Sequence, residues 1–148
     1  MTSSSTLHVD TFEYDANSID TPLVQFIQRF YSLADDLSRI AEWASCFAAN
    51  ASLKRGAAEI VGREAILQAA ISGSKDLASR QHNLEKVFAF APGKPDDIML
   101  YGKATTETKD GARMELETAG RIHLIRNDDG SILIDLYQLY PILPPKAL

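Results

Sequence analysis

The second half of the chain alternates apolar and polar residues with the two-residue period of β-strands, which limits the possible folds more than any other feature. The pattern predicts long strands near residues 79–91, 97–108, 112–126 and 131–140. Turn residues at Lys109–Gly111 and Asn127–Gly130 join the later strands as hairpins. Because hairpin partners run antiparallel, this half of the chain predicts an antiparallel sheet.

The first half has the three-and-four apolar spacing of amphipathic helices. Thr21 before Pro22 predicts the start of a first helix, with the threonine as its cap. A second helix is predicted to continue until Asn50, followed by a short strand at 51–55 and a third helix over 62–71. Helices followed by an antiparallel sheet predict an α+β domain, with three N-terminal helices packed on one face of a curved sheet.

Length and composition indicate one globular domain, because 148 residues with 45% hydrophobic content suit a single core. We expect a flexible arm over 1–18, the folded domain over 19–142 and a tail over 143–148.

The net charge of −5, without any basic cluster, argues against nucleic-acid binding. No apolar run approaches the ~20 residues of a membrane span, and the start lacks a secretory signal, so the expected location is cytoplasmic. The single cysteine, Cys46, fits a buried structural thiol.

The first predicted strand of the sheet carries a histidine on its apolar face. His82 shares that face with Arg80, Leu84 and Phe88 by the two-residue period. Histidine exchanges protons near neutral pH, so His82 is the leading candidate for acid/base chemistry. The alternative is a hydrogen-bonded structural histidine, with Arg80 as a rim charge.

Five short motifs follow one another between residues 21 and 142: Trp43-Ala-Ser-Cys-Phe47, Val61-Gly-Arg-Glu-Ala-Ile66, Arg80-Gln-His82, Met99-Leu-Tyr-Gly102 and Tyr137-Gln-Leu-Tyr140. In this order and spacing they resemble the nuclear transport factor 2-like superfamily and its SnoaL-like cyclase and isomerase branch. The later motifs are similar to a small fungal group that isomerises or rearranges meroterpenoid intermediates. The resemblance implies a cone-shaped α+β fold and a hydrophobic polyketide or terpenoid substrate.

The sequence also departs from this family. Many cyclases and epoxide hydrolases of the fold place an acid in the last strand, where this chain has Leu139. The Arg-x-Asp pair of the epoxide hydrolases falls near Gly102 and Ala104, and a frequent acid after the second helix is Asn50 here. Epoxide hydrolysis of that type is therefore not expected.

The resemblance implies a catalytic set of His82, Glu59 and Arg80. If residues 57–61 form a short strand, Glu59 enters the cone and forms an acid/base pair with His82, while Arg80 holds a carbonyl or carboxylate oxygen. No metal or organic cofactor is required. The alternative for Glu59 is a carboxylate that complements the start of the third helix.

Aromatic residues supply the remaining candidates. Tyr101 and Tyr137 could hydrogen-bond a ligand oxygen, and Trp43, Phe30 and Phe88 could line a ligand cavity, although packing explains each of them as well.

The implied function is a cofactor-independent isomerase, cyclase or hydro-lyase. The alternative is a non-catalytic ligand-binding or assembly module of the same fold, in keeping with the missing acids. An adaptor for protein partners would require a filled cone and an apolar outer patch. Because sheets of this fold often dimerise through their outer face, where His123 is placed, a homodimer is expected.

Overall fold

The computed structural model describes residues 12–148 of the chain. The helices are α1 (Thr21–Asp35), α2 (Ile40–Ala44) and α3 (Arg63–Ser74), with a short 3-10 turn at Leu37–Arg39 before α2. The strands are β1 (Phe47–Arg55), β2 (Ala58–Val61), β3 (Leu77–Ala89), β4 (Asp97–Thr108), β5 (Arg113–Arg126), β6 (Ile132–Pro141) and β7 (Lys146–Ala147). None of the helices within residues 12–148 is long and apolar enough to cross a membrane.

All seven strands belong to one curved sheet, in the order β2-β1-β6-β5-β4-β3, with β7 added beside β5. The predicted α+β class is confirmed, and the four long strands lie within two residues of their predicted bounds. One strand pair differs from the prediction, because β1 and β6 run parallel and make the sheet mixed. Turn signals cannot report this pairing, since β1 and β6 are separated by one helix and three long strands along the chain.

The core lies between α1 and the inner face of the sheet. The fully buried side chains of α1 include Leu23, Ile27 and Phe30. They belong to one apolar cluster with side chains such as Ile122 and Ile134 from the sheet. Each fully buried side chain of this size contributes roughly 1.5–3 kcal/mol to folding.

The second helix is shorter than predicted, because the chain leaves helical geometry before Phe47. Phe47 is fully buried and pairs with Ile134 of β6, and the Cys46 carbonyl accepts a 2.9 Å hydrogen bond from the Ile134 amide. Asn50 therefore lies within β1 and does not end a helix. Tertiary pairing has overridden the helical spacing of this segment.

Two smaller boundaries also differ from the prediction. Asp20, one residue before Thr21, occupies the cap position of α1, and its carboxylate binds Arg126 at 2.8 and 2.9 Å instead of capping the helix. The third helix continues through Gly73 to Ser74, whose hydroxyl donates to the Ala70 carbonyl at 2.8 Å.

A bulge in β3 reverses which residues face the core. The register with β4 shifts between Leu84 and Lys86, so Val87 is buried while Phe88 is 50% exposed. A uniform two-residue period had placed Phe88 on the inner face with His82, and this prediction is wrong. Gly102 of β4 faces the bulge, where an added Cβ would lie 2.8 Å from the Leu84 Cα and closer still to the backbone of Asn83.

Both ends of the described chain pack on the sheet. Phe12 is buried, and the Glu13 amide donates to the Glu85 carbonyl at 2.9 Å beside the bulge. At the other end, Lys146 and Ala147 pair with β5. The tail thus forms a short strand after its two prolines.

Candidate functional site

The helices and the inner face of the sheet form a partly open cavity of about 600 Å³. Its wall is mostly apolar and includes Phe30 of α1, Trp43 of α2, and Leu53, Leu100 and Leu139 of the sheet. This size and chemistry are typical of a pocket for a small hydrophobic molecule. The cone is therefore not filled, and Trp43 and Phe30 form part of the cavity wall.

His82 lines this cavity and is held by a carboxylate behind it. Asp35, the last residue of α1, lies 2.6 Å from His82 Nδ1 through Oδ1, and its two oxygens accept from the His82 amide at 3.0 and 2.9 Å. Both side chains are mostly buried, with 18% and 13% of their surface exposed. Because an ionised carboxylate only accepts hydrogen bonds, Nδ1 carries the proton, and in the neutral imidazole Nε2 carries the lone pair.

Arg80 lies two residues before His82 and is anchored to the same end of α1. Its Nε and Nη2 donate to the Ala34 carbonyl at 2.9 and 2.7 Å, so the guanidinium meets the negative end of the helix dipole. Among the described residues it forms no salt bridge, neither with Asp76 nor with Glu85. Burial lowers the pKa of Arg80, and the charge of Asp35 partly opposes that effect.

Two buried tyrosines form the polar group beside His82. The hydroxyls of Tyr31 and Tyr137 lie 2.9 Å apart, and the Tyr31 ring packs against the His82 ring with centroids 5.1 Å apart. Burial raises the pKa of Tyr31 well above its ordinary value and raises the pKa of Tyr137 to about 12. Both therefore stay protonated at neutral pH, and only one of the two hydroxyls can donate to the other.

The structure brings five of the eight predicted site residues to the cavity. They are His82, Arg80, Tyr137, Trp43 and Phe30.

The other three predicted residues, Glu59, Tyr101 and Phe88, do not line the cavity. Tyr101 and Phe88 stack on each other on the outer face, with ring centroids 6.3 Å apart. Both were expected inside, and the bulge in β3 explains the position of Phe88.

Glu59 points away from His82. The strand expected at 57–61 forms as β2, but the cavity is lined by Ala58 and Ile60, its neighbours on either side. The exposed Glu59 carboxylate instead accepts a 3.0 Å hydrogen bond from the Ser52 hydroxyl. The expected pairing of Glu59 with His82 is therefore corrected, because alternation along the strand puts these side chains on opposite faces.

Sequence reasoning missed Asp35 and Tyr31. They lie four residues apart at the end of α1, a spacing that puts both on one face of a helix. This four-residue spacing is the signal in the sequence that could have placed Tyr31 and Asp35 together at the site. The run Ala34-Asp35-Asp36 reads instead as a helix end, and in the structure Asp36 does accept from the Ser38 amide at 3.0 Å.

The positions that depart from the family pattern stay without an acid. Leu139 lines the cavity, and Asn50 is exposed on β1.

Cys46 is buried, and its Sγ lies 3.6 Å from Arg29 Nη1. Burial raises the pKa of this thiol, as expected for a structural cysteine. Within residues 12–148, no group of three or more His, Cys, Asp or Glu side chains is arranged to hold a metal ion.

The outer face of the sheet carries a second histidine, His123, whose Nδ1 lies 2.7 Å from Asp135 Oδ1. Its Nε2 is 3.8 Å from Asp96. The third histidine, His8, lies outside the described residues.

Comparison with known proteins rests on structure alone, because no protein-family model and no curated protein matches the sequence. A protein from Novosphingobium aromaticivorans, named provisionally as a scytalone dehydratase, is similar over 82% of this chain and 83% of its own, with a TM-score of 0.71 and 11% identity. Nuclear transport factor 2 from Cryptosporidium parvum is similar over 80% and 90%, with a TM-score of 0.61 and 16% identity. The epoxide hydrolase/cyclase-like enzyme SalBIII of pyran ring formation in polyether salinomycin is similar over 84% and 94%, with a TM-score of 0.67 and 13% identity.

These similarities confirm the fold. The chain has the nuclear transport factor 2-like, SnoaL-like fold that its motifs predicted, and its structural neighbours include a cyclase-like enzyme.

Proposed function

We propose that this protein is a cofactor-independent acid/base isomerase or cyclase that acts on a hydrophobic polyketide or terpenoid intermediate. The observation that carries the proposal is the Asp35–His82 pair at the wall of a mostly apolar cavity of about 600 Å³. A carboxylate-backed imidazole with a free Nε2 lone pair is a general base, and an apolar cavity keeps competing water away from it.

In the proposed reaction, His82 Nε2 removes a proton from a carbon next to a carbonyl. The C–H electron pair moves into the C–C bond and the carbonyl becomes an enolate. The Asp35 carboxylate stabilises the imidazolium that forms, and the Tyr31–Tyr137 pair donates one hydrogen bond to the enolate oxygen. Where a C=C bond is conjugated with the enolate, His82 returns the proton to the far carbon of that bond, which gives the isomer. Alternatively, the enolate carbon attacks a second carbonyl carbon of the same substrate, whose C=O π electrons move to oxygen, and the ring closes as that alkoxide takes the proton from His82.

The reaction class can be tested without the natural substrate. A panel of hydrophobic cyclic ketones and lactones is incubated with the protein in D₂O, and deuterium at the carbon next to the carbonyl is followed by NMR. We expect exchange that the His82→Gln variant loses by about 10²–10⁴-fold, the usual contribution of a positioned base. Glu59→Gln is the matched control and keeps the full rate, because its carboxylate lies on the other face of β2. Exchange at the same rate in wild type and His82→Gln would reject the proposal.

The second candidate is a non-catalytic ligand-binding module. Leu139 favours it, since this residue occupies a cavity position where many enzymes of the fold carry an acid. Panel compounds that bind in the cavity without any deuterium exchange would support this reading and exclude the first.

We also propose that the protein forms a homodimer through the outer face of its sheet. Tyr101, Ala119 and Tyr140 form one cross-strand row there, and Tyr101 and Tyr140 are 39% and 44% exposed. Met99, two residues from Tyr101 on β4, extends the apolar surface, which would be covered by the same surface of a second copy. Light scattering should give twice the mass of the chain for the wild type and a single-chain mass for Tyr101→Glu. A wild-type protein of single-chain mass at micromolar concentration would exclude the dimer.

A further inference from the structure

The cavity has a charge opposite to that of the whole chain. The net charge of the protein is −5, yet the ionisable side chains that line the cavity are Arg55, Arg80, Lys103, His82 and two tyrosines. No Asp or Glu of the described residues is among the lining side chains. Charged groups in a mostly apolar cavity interact more strongly with a ligand than they would in water, so this excess of positive charge favours an anion.

Arg80 is a partly buried cation of this set, and it forms no salt bridge with a carboxylate of the described residues. Its Nε and Nη2 both donate to the Ala34 carbonyl, and Nη1 has no hydrogen-bond partner in the described part of the chain. Nη1 is not fully occluded, and the Arg80 side chain lines the cavity. The charge of Asp35 raises the pKa of Arg80, but the Asp35 carboxylate already accepts hydrogen bonds from His82. A partly buried guanidinium with an open donor is a strong site for a carboxylate.

A second guanidinium acts on the same end of the cavity. Arg55, at the exposed end of β1, lines the cavity rim, and the charges of Arg80 and Arg55 both lower the pKa of Tyr137 against the effect of burial. The two cations therefore lie close enough to influence one hydroxyl. Lys103 is less available, because its Nζ lies 3.6 Å from Glu115.

We propose that the cavity binds its hydrophobic ligand as an organic carboxylate, held by Arg80 Nη1 and attracted by Arg55. This inference depends on the cavity being the ligand site of the proposed function, and it defines the substrate class as carboxylic acids. The Asp35–His82 pair would then act on a carbon of the same molecule, beside the carbonyl. A neutral ligand leaves the Arg80 charge unpaired on binding and loses a charge-assisted hydrogen bond.

The test compares three ligands of one shape: adamantane-1-carboxylate, adamantane-1-carboxamide and 1-aminoadamantane. None absorbs where tryptophan is excited, and Trp43, the single tryptophan of the chain, lines the cavity and reports binding by fluorescence. At pH 8 we expect the carboxylate to bind at least about tenfold more tightly than the amide, the usual effect of a hydrogen bond to a charged group. The amine should bind most weakly. Equal affinity for the carboxylate and the amide would overturn the proposal.

Variants of Arg80 and Arg55 test which residue causes the preference for the carboxylate over the amide. Arg80→Gln should bring the affinity ratio of carboxylate to amide close to one, and Arg55→Met should lower it a few-fold. Lys54→Met is the matched control for Arg55→Met, because it removes the same charge from the next residue of β1, which does not line the cavity. If Arg80→Gln fails to fold, the comparison of Arg55→Met with Lys54→Met decides. A ratio that is the same in Arg55→Met and Lys54→Met would then overturn the assignment.

Binding and turnover can fail independently. A preference for the carboxylate without any deuterium exchange would reject the acid/base function and keep this inference. Exchange without the preference would reject the inference alone.

Discussion

Replacing Asp35 by asparagine tests the link between the stability of the fold and the chemistry of the site. The Asp35 carboxylate accepts the His82 amide at 3.0 and 2.9 Å and Nδ1 at 2.6 Å, with only 13% of its side chain exposed. Asparagine has the same shape, but it carries no charge, and the NH₂ group in place of Oδ2 donates instead of accepting, so it faces the His82 amide as donor against donor. The variant therefore loses the charge-assisted hydrogen bond from the His82 amide to Oδ2 and the negative charge that strengthens the bond from Nδ1.

We expect Asp35→Asn to lower the free energy of unfolding by about 2–3 kcal/mol, the usual size of a lost hydrogen bond to a charged group. For a chain of this length, that corresponds to a fall in melting temperature of about 5–10 °C. Urea titration followed by circular dichroism at pH 7 measures the change. The rate of deuterium exchange into the ketone panel should also fall in Asp35→Asn, because the imidazole loses the carboxylate that fixes its tautomer.

Asp36→Asn is the matched control for this experiment. Asp36 is the next residue, is partly exposed, and accepts from Ser38 at the start of the 3-10 turn, where asparagine is an equally good cap. It should unfold like the wild type. If Asp35→Asn is as stable as Asp36→Asn, the Asp35–His82 contact does not hold the end of α1 on β3, and the reasoning is refuted.

The remaining predictions concern the tyrosine pair and the bulge. The raised pKa of Tyr31 and Tyr137 stabilises the fold below the unfolded value near pH 10, and we expect this stability, on the order of 2–3 kcal/mol for Tyr137, to be lost between about pH 10 and 12. Tyr137→Phe should accordingly leave the tyrosinate absorbance of the folded protein at pH 10.5 unchanged, and a decrease would contradict the shift. Gly102→Ala should cost about 1–3 kcal/mol in a urea titration because its Cβ meets the β3 backbone, whereas Gly73→Ala, with nothing within 4 Å, should be neutral or stabilising. Equal stability of the two alanine variants would show that β3 shifts freely at its bulge.

The sequence predicts the sheet well because the strands of its second half are long and each buries one face. Their alternation fixes strand limits, and the hairpin turns fix the order β3 to β6. The position of β1 is not readable in the same way. Phe47 fits a helical stripe as well as a strand, and only its burial against Ile134 of a distant strand decides between them.

The errors in the site have local physical causes. One inserted residue near Leu84 moves Phe88 to the outer face, and no residue type marks that bulge in β3 itself. The signal is on the neighbouring strand, where Gly102 leaves room for the displaced backbone. The prediction for Glu59 is wrong by one position along β2. In a strand of only four residues, alternation cannot show which face is inside.

The chemistry and the packing of this site depend on the same contacts. The last turn of α1 supplies Tyr31, the Ala34 carbonyl and Asp35, and β3 supplies Arg80 and His82. The pairs Asp35–His82 and Ala34–Arg80 therefore fasten the helix to the sheet while they orient the polar groups of the cavity. Loss of activity by itself does not separate the two roles, so the stability of each variant is measured beside its turnover. His82→Gln is the informative change. The glutamine side-chain NH₂ can still donate to Asp35, but the basic nitrogen is lost, so turnover should fall further than stability.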